Sequence, residues 1–183
     1  MPVSAVSAIP NSKEIDNFAW IEPWLARGAE PKHAGYKWLA DMAFKTVVNL
    51  RSHDVAQSVR NASVNLETLN IPVKNNRAPE DEQALQWLQI CSSRPMRPIF
   101  VHCNAGEGRT STFCALVRIA QGWPLDSAIA EQLIFGFDPD GEHKEQARFL
   151  KKFEQRKLHK KYPISAQALT KSKFFEFFLA IFT

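Results

Sequence analysis

The feature that most constrains this chain is the segment HCNAGEGRTS at residues 102–111, because strongly apolar residues lie on both sides of it. The preceding PIFVH at residues 98–102 has the apolar run of a buried β-strand, and TSTFCALVRIAQ at residues 110–121 has that of a buried helix. Two glycines, Gly106 and Gly108, allow a tight loop between this strand and this helix. The segment therefore predicts a strand, a short loop and a helix in direct succession.

This succession predicts an anion site. Such a loop turns backbone N–H groups inward, and the N-terminus of the following helix adds unpaired N–H groups and a partial positive charge. Arg109 supplies a planar guanidinium that fits two phosphate oxygens. The predicted phosphate-binding residues of the segment, besides Arg109, are His102, Asn104, Ala105, Gly106, Glu107 and Gly108.

The same positive surroundings favour the thiolate form of Cys103, which is the nucleophilic form. A thiolate beside a bound phosphate is suited to attack phosphorus, form a phosphocysteine and release it to water. Thr110 or Ser111 is placed to hydrogen-bond the sulfur and help it leave. The segment thus predicts covalent hydrolysis of phosphate esters, with Cys103 as the nucleophile.

HCNAGEGRTS resembles the protein tyrosine phosphatase signature, in which His-Cys is followed by five residues, Arg, and Ser or Thr. ARGAEP at residues 26–31 and KTVVNLR at residues 45–51 are similar to the start of dual-specificity phosphatase domains, so the likeness covers most of residues 20–157. The resemblance implies an α/β fold, with a central mixed sheet flanked by helices. It also implies no metal or other cofactor, Cys103 as the nucleophile and Arg109 as the phosphate clamp.

Two details point to a substrate class. The Thr-Ser-Thr that follows Arg109 is similar to the Arg-Thr-Thr of PTP-like inositol phosphatases, also called cysteine phytases, and NLRSH at residues 49–53 is similar to a longer segment of those enzymes. This likeness implies myo-inositol polyphosphates such as phytate as substrates. The alternatives are a protein tyrosine or dual-specificity phosphatase, acting on phosphoproteins, and a pseudophosphatase that binds phosphate without catalysis.

The proton donor is the open point, because the leaving oxygen needs a proton. The resemblance implies an Asp in the region VKNNRAPEDE at residues 73–82, but the best-matching position holds Asn75, which is not an acid. We favour Asp81 as the acid. The other candidates are Asp54, Glu80, Glu107 and Asp138.

Four cationic side chains are expected to contact substrate phosphates, with ordinary solvated surface charge as the alternative for each. They are Arg51, His53, Lys74 and Arg77. The formal net charge of +4 agrees with an anionic substrate. Nucleic acid is not expected, because no recognised binding module accompanies the basic residues.

The 183 residues fit one domain. We expect a lead-in over residues 1–19, a phosphatase domain over residues 20–161 and an apolar tail over residues 162–183 that packs on the domain or forms a homodimer. No run of residues has the length of a transmembrane helix. An odd number of cysteines, three, favours a reducing environment. A complete chain is expected in the cytoplasm, and one that has lost a leader peptide is expected to be secreted or periplasmic.

Overall fold

A five-stranded mixed sheet forms the centre of the computed structural model, which describes residues 12–165. Its strands are β1 (Ala19–Glu22), β2 (Leu25–Gly28), β3 (Thr46–Asn49), β4 (Glu67–Asn70) and β5 (Ile99–His102). The order across the sheet is β1-β2-β5-β3-β4; β1 is antiparallel to β2, and the other neighbours are parallel. The central strand β5 is buried along its whole length, which explains its apolar sequence.

Helices cover both faces of this sheet. They are α1 (His33–Asp41), α2 (Ala56–Asn61), α3 (Asp81–Ser92), α4 (Gly108–Ala120), α5 (Leu125–Leu133) and α6 (Lys144–Gln155), with 3-10 turns at Arg94–Met96 and Leu158–Lys161. Alternate strand residues point to opposite faces. Val101 therefore packs in a core with Trp87 and Phe113, whereas Phe100 packs in a second core with Tyr36 and Leu39. The predicted α/β fold with a mixed sheet flanked by helices is confirmed.

Before the predicted loop, β1 and β2 form a hairpin, because the chain turns at Pro23 and Trp24 between them. β4 is a short strand that pairs with β3 over Glu67–Asn70.

The helix predicted from residue 110 begins at Gly108, so the loop between β5 and α4 is shorter than expected. Further along the chain, α6 ends at Gln155, because Lys157 adopts a left-handed φ of 54° before the final 3-10 turn.

None of the helices within residues 12–165 combines the length and the apolar character needed to cross a membrane. The predicted lead-in lies mostly before residue 12, and the apolar tail lies mostly after residue 165, outside the described residues. Packing of that tail and homodimerisation through it therefore stay predictions.

Candidate active site

The loop from Cys103 to Glu107 leaves the central strand β5 and is fixed from both sides. His102 is in register with Gly28 on β2 and with Asn49 on β3. The Glu30 N–H donates to the Asn104 carbonyl at 3.0 Å. Gly106 has a φ of +79°, and a Cβ there would lie 2.7 Å from the Gly28 carbonyl carbon, so only glycine fits.

A fully buried arginine, Arg27, hydrogen-bonds the Cys103–Glu107 loop from the core side. Its Nη1 donates to Ser111 Oγ at 2.9 Å and to Gln132 Oε1 at 2.6 Å, and its Nη2 donates to the Gly106 carbonyl. Burial lowers the pKa of Arg27, and the neighbouring Cys114 and Cys103 thiols oppose that shift. Arg27 lies in the ARGAEP segment, but the sequence pattern alone did not indicate this role.

His102 holds the nucleophile's backbone. Its Nδ1 lies 3.1 Å from the Cys103 carbonyl oxygen, so this nitrogen carries the proton and donates. Complete burial lowers the pKa of His102 to about 4, although the bond to the Cys103 carbonyl opposes the shift. The imidazole is therefore neutral near pH 7 and acts as a fixed hydrogen-bond donor rather than a base.

Cys103 lines a cavity of about 190 Å³, although only 3% of the residue is exposed. Six of the predicted residues line it together: Cys103, Asn104, Ala105, Glu107, Gly108 and Arg109. The remaining lining residues come from two other segments and are Asn75, Asn76, Glu142, His143 and Gln146. A wider cleft of about 560 Å³ adjoins the cavity and shares Asn104, Ala105 and Glu107 with it.

Arg109 is held by the opposite wall of the cavity. Its Nη1 donates to the Val73 carbonyl at 3.1 Å, and its Nη2 donates to Asn75 Oδ1 at 3.0 Å. Arg109 is only 8% exposed as a whole residue. The position that holds an acid in the resembling enzymes thus serves here as a hydrogen-bond acceptor for Arg109.

That wall consists of two segments, the loop at residues 73–77 and the start of α6, which contact each other directly. Asn76 Nδ2 donates to Glu142 Oε1 at 2.9 Å, and Arg77 Nη1 donates to Glu145 Oε2 at 3.0 Å. Gln146 Nε2 also donates to the Arg77 carbonyl at 3.1 Å. Sequence reasoning missed the α6 residues, because no local motif connects them with a loop so far away along the chain.

His143 packs directly on the beginning of α4. A Cβ on Gly108 would lie 2.6 Å from His143 Nε2, so a larger residue at position 108 would displace this ring. The Asp138 N–H donates to His143 Nδ1 at 2.9 Å, so in the neutral ring Nε2 carries the proton. His143 therefore adds a hydrogen-bond donor at the edge of the phosphate loop.

The structure places Asp81, the favoured acid, outside the cavity. Asp81 lies in the first turn of α3. Its carboxylate accepts two hydrogen bonds from the Arg156 guanidinium, at 2.5 and 2.8 Å. Glu80 closes a capping box at the same helix end, and Asp54 accepts the Ala56 N–H at 2.8 Å. These three carboxylates have structural roles at helix N-termini, where negative charge is stabilised.

Asp138 is also occupied, since its carboxylate accepts the backbone N–H groups of Gly141 at 3.0 Å and Glu142 at 3.2 Å. Glu107 does line the cavity. Thr110 is fully buried, and its Oγ1 has no hydrogen-bond partner among residues 12–165.

The cations predicted to bind phosphates are mostly paired. Arg51 and His53 both bond to Glu30, with His53 Nε2 2.7 Å from Glu30 Oε1. The net pKa of Glu30 is lowered: burial alone would raise it, but the hydrogen bond from His53 and the charge of Arg51 outweigh that effect. The Glu30 carboxylate is therefore charged. Arg77 pairs with Glu145, and Lys74 is an exposed residue of the loop at residues 73–77.

The fold and this loop are those of the dual-specificity class of cysteine phosphatases. Residues 4–152 match the family model described as a DSP-PTPase phosphatase fused to NAD+ kinase, and the chain belongs to this family.

Two curated relatives are similar to this chain in sequence. Probable NAD kinase 2, chloroplastic, of Oryza sativa is 30% identical over 112 residues, which is 57% of this chain and 11% of that protein. The dual specificity protein phosphatase TpbA of Pseudomonas aeruginosa is 26% identical over 136 residues, which is 74% of this chain and 62% of TpbA. The chain thus matches less than two thirds of the length of either relative.

Two solved structures share the fold. A cysteine-to-serine variant of TpbA in complex with pTyr superposes with a TM-score of 0.71 at 25% identity, over 86% of this chain and 96% of TpbA. The core catalytic domain of the PP-IP phosphatase SIW14 from S. cerevisiae superposes with a TM-score of 0.71 at 19% identity, over 82% of this chain and 95% of that one.

Proposed function

We propose that this chain hydrolyses phosphate monoesters through a phosphocysteine on Cys103. One observation carries the proposal: Cys103 and Arg109 line the same small cavity, at the N-terminus of a buried helix. Amide N–H groups, a helix N-terminus and a guanidinium are the groups that bind a phosphate dianion in proteins.

In the first step the Cys103 sulfur attacks phosphorus, and the bond from phosphorus to the ester oxygen breaks. Arg109 leaves its bonds to Val73 and Asn75, at least in part, to bind two phosphate oxygens. In the second step water attacks the phosphocysteine and the phosphorus–sulfur bond breaks. Thr110 is the hydroxyl that would stabilise the departing thiolate.

For the substrate class, the sequence resemblance supports inositol polyphosphates. The charges around the cavity support a different preference, for substrates with a single phosphate. Glu107 and Glu142 line the cavity, and the adjoining cleft has Asp16, Glu107 and the aromatic ring of Phe135. Within residues 12–165, no lysine or arginine lines that cleft. A second phosphate would meet negative charge there. We therefore propose a monophosphate ester with a neutral or aromatic body, such as phosphotyrosine, and retain inositol polyphosphate as the competing candidate.

Phosphate release from phytate and from a phosphotyrosine peptide separates these readings, with Cys103→Ser as the control. We expect faster release from the peptide and none by the variant. Faster release from phytate would reverse the substrate assignment but keep the chemistry. A wild-type chain that binds phosphate and releases none from either substrate would be a pseudophosphatase, and the proposed function would fall.

A further inference from the structure

We propose that Glu142, in the turn just before α6, donates the proton to the leaving oxygen. This assignment rests on the proposed phosphocysteine chemistry and supplies the acid that Asn75 cannot provide. Glu142 and Glu107 are the two carboxyl side chains among the residues that line the Cys103 cavity. A cavity of about 190 Å³ holds on the order of six waters, so its lining groups lie close to a bound phosphate.

Two bonds fix Glu142 at the mouth of the cavity. Its backbone N–H donates to Asp138 Oδ2 at 3.2 Å, which ties it to the turn before α6. Its side-chain Oε1 accepts from Asn76 Nδ2 at 2.9 Å, across the mouth. Because Oε1 is used as an acceptor, the proton of a neutral carboxyl resides on Oε2. Glu142 is thus oriented with one oxygen anchored and the other available for proton transfer.

Glu107 is the competing acid, but its side chain extends along a different surface. A Cβ on Gly136 would lie 3.0 Å from Glu107 Cγ and 3.2 Å from Glu107 Cδ, so this side chain packs against Gly136. Gly136 lines the wider cleft and is not among the residues of the Cys103 cavity. The Glu107 carboxyl therefore lies along the cleft. Glu142 instead accepts a hydrogen bond from Asn76, in the loop at residues 73–77 that also bonds Arg109.

Proton transfer by Glu142 accompanies both chemical steps. In the first step Cys103 attacks, the ester oxygen departs, and the Glu142 carboxyl passes its proton to that oxygen to give the free alcohol. In the second step the Glu142 carboxylate takes a proton from the attacking water, so the acid, the thiolate and inorganic phosphate are regenerated.

The test compares two leaving groups. For Glu142→Gln we expect kcat/KM on phenyl phosphate, a poor leaving group, to fall by about 10²-fold or more, because a positioned general acid contributes that much. On p-nitrophenyl phosphate, whose leaving group needs less protonation, the loss is expected to be much smaller. Glutamine keeps an acceptor for Asn76, so the wall stays in place. Asp140→Asn is the matched control, since Asp140 is an exposed acid of the same turn outside the cavity.

Each outcome decides the assignment. A large loss on phenyl phosphate alone, with Asp140→Asn unchanged, supports Glu142 as the donor. Equal losses on both substrates, no loss, or the same selective loss in Glu107→Gln instead of Glu142→Gln would overturn it. These results differ from failure of the proposed function, in which the wild-type chain hydrolyses neither ester and Cys103→Ser makes no difference; that result would overturn the donor as well.

Discussion

Arg109 Nη2 donates to Asn75 Oδ1 at 3.0 Å, which links the phosphate clamp to the opposite wall of its own cavity. The clamp is therefore already occupied before a phosphate arrives. Because the amide oxygen of Asn75 is neutral, a phosphate dianion competes for the guanidinium with an advantage of charge. This relationship makes position 75 a regulator of phosphate affinity.

Asn75→Asp is expected to weaken phosphate binding, because a carboxylate would pair with Arg109 and repel the incoming dianion. We expect the inhibition constant of inorganic phosphate to rise by about tenfold or more at neutral pH. Competitive inhibition of p-nitrophenyl phosphate hydrolysis measures it. Unchanged or tighter inhibition by phosphate would show that Asn75 does not control access to Arg109.

Arg27→Lys is expected to loosen the phosphate loop. Lysine keeps the charge but lacks the planar fork that bonds Ser111, Gln132 and the Gly106 carbonyl together. We expect kcat/KM to fall and the phosphate inhibition constant to rise together, each by about tenfold. Arg97→Lys is the control, because Arg97 bonds the Cys91 carbonyl at a site away from the loop. It should lower stability with unchanged kinetics; a similar kinetic loss in both variants would contradict the role of Arg27.

Stability should fall between pH 6.5 and pH 4 because of His102, whose pKa falls from 6.5 to about 4 on burial. In this range the unfolded chain binds a proton that the native imidazole excludes, so lowering the pH favours unfolding. The loss from this group is about 3 kcal/mol across the range. Urea unfolding at stepped pH measures it. His102→Asn should have a shallower decline in the free energy of unfolding, and an equal slope in both proteins would contradict the assignment.

Only one of the three thiols should react in the native protein. Cys103 lines the cavity, whereas Cys91 and Cys114 are fully buried. Burial raises the pKa of Cys91 well above its usual value and that of Cys114 to about 12, so both remain unreactive thiols at neutral pH. Iodoacetamide followed by mass spectrometry should find one labelled site and lost activity. Labelling of Cys91 or Cys114 without denaturant would contradict this expectation.

The sequence was most informative where the site is local. Cys103, Arg109 and the strand, loop and helix around them occupy one contiguous segment, so the anion site could be predicted from its order alone. The mixed sheet flanked by helices was expected from the resemblance to dual-specificity phosphatase domains.

The rest of the site depends on long-range contacts. Glu142, His143 and Gln146 reach the cavity only because α6 packs beside the loop at residues 73–77. Arg27 is fully buried, whereas arginine side chains are usually exposed. Nothing in the sequence around residue 27 therefore predicted its burial. Asp81 attracted attention because it is acidic and near Asn75, yet an acid in the first turn of a helix has an ordinary structural reason to be there.

The contacts between the loop at residues 73–77 and the α6 region also affect which substrates the cavity can admit. Two of them, Asn76 to Glu142 and Arg77 to Glu145, lie on the exposed surface. An exposed ion pair contributes little, about 0–1 kcal/mol. Each of these two exposed contacts contributes little by itself, so side chains at the entrance can shift more easily than the nucleophile's loop, which stays fixed between β2 and β3. This partition makes the entrance of the cavity adaptable to bulky esters and its floor invariant.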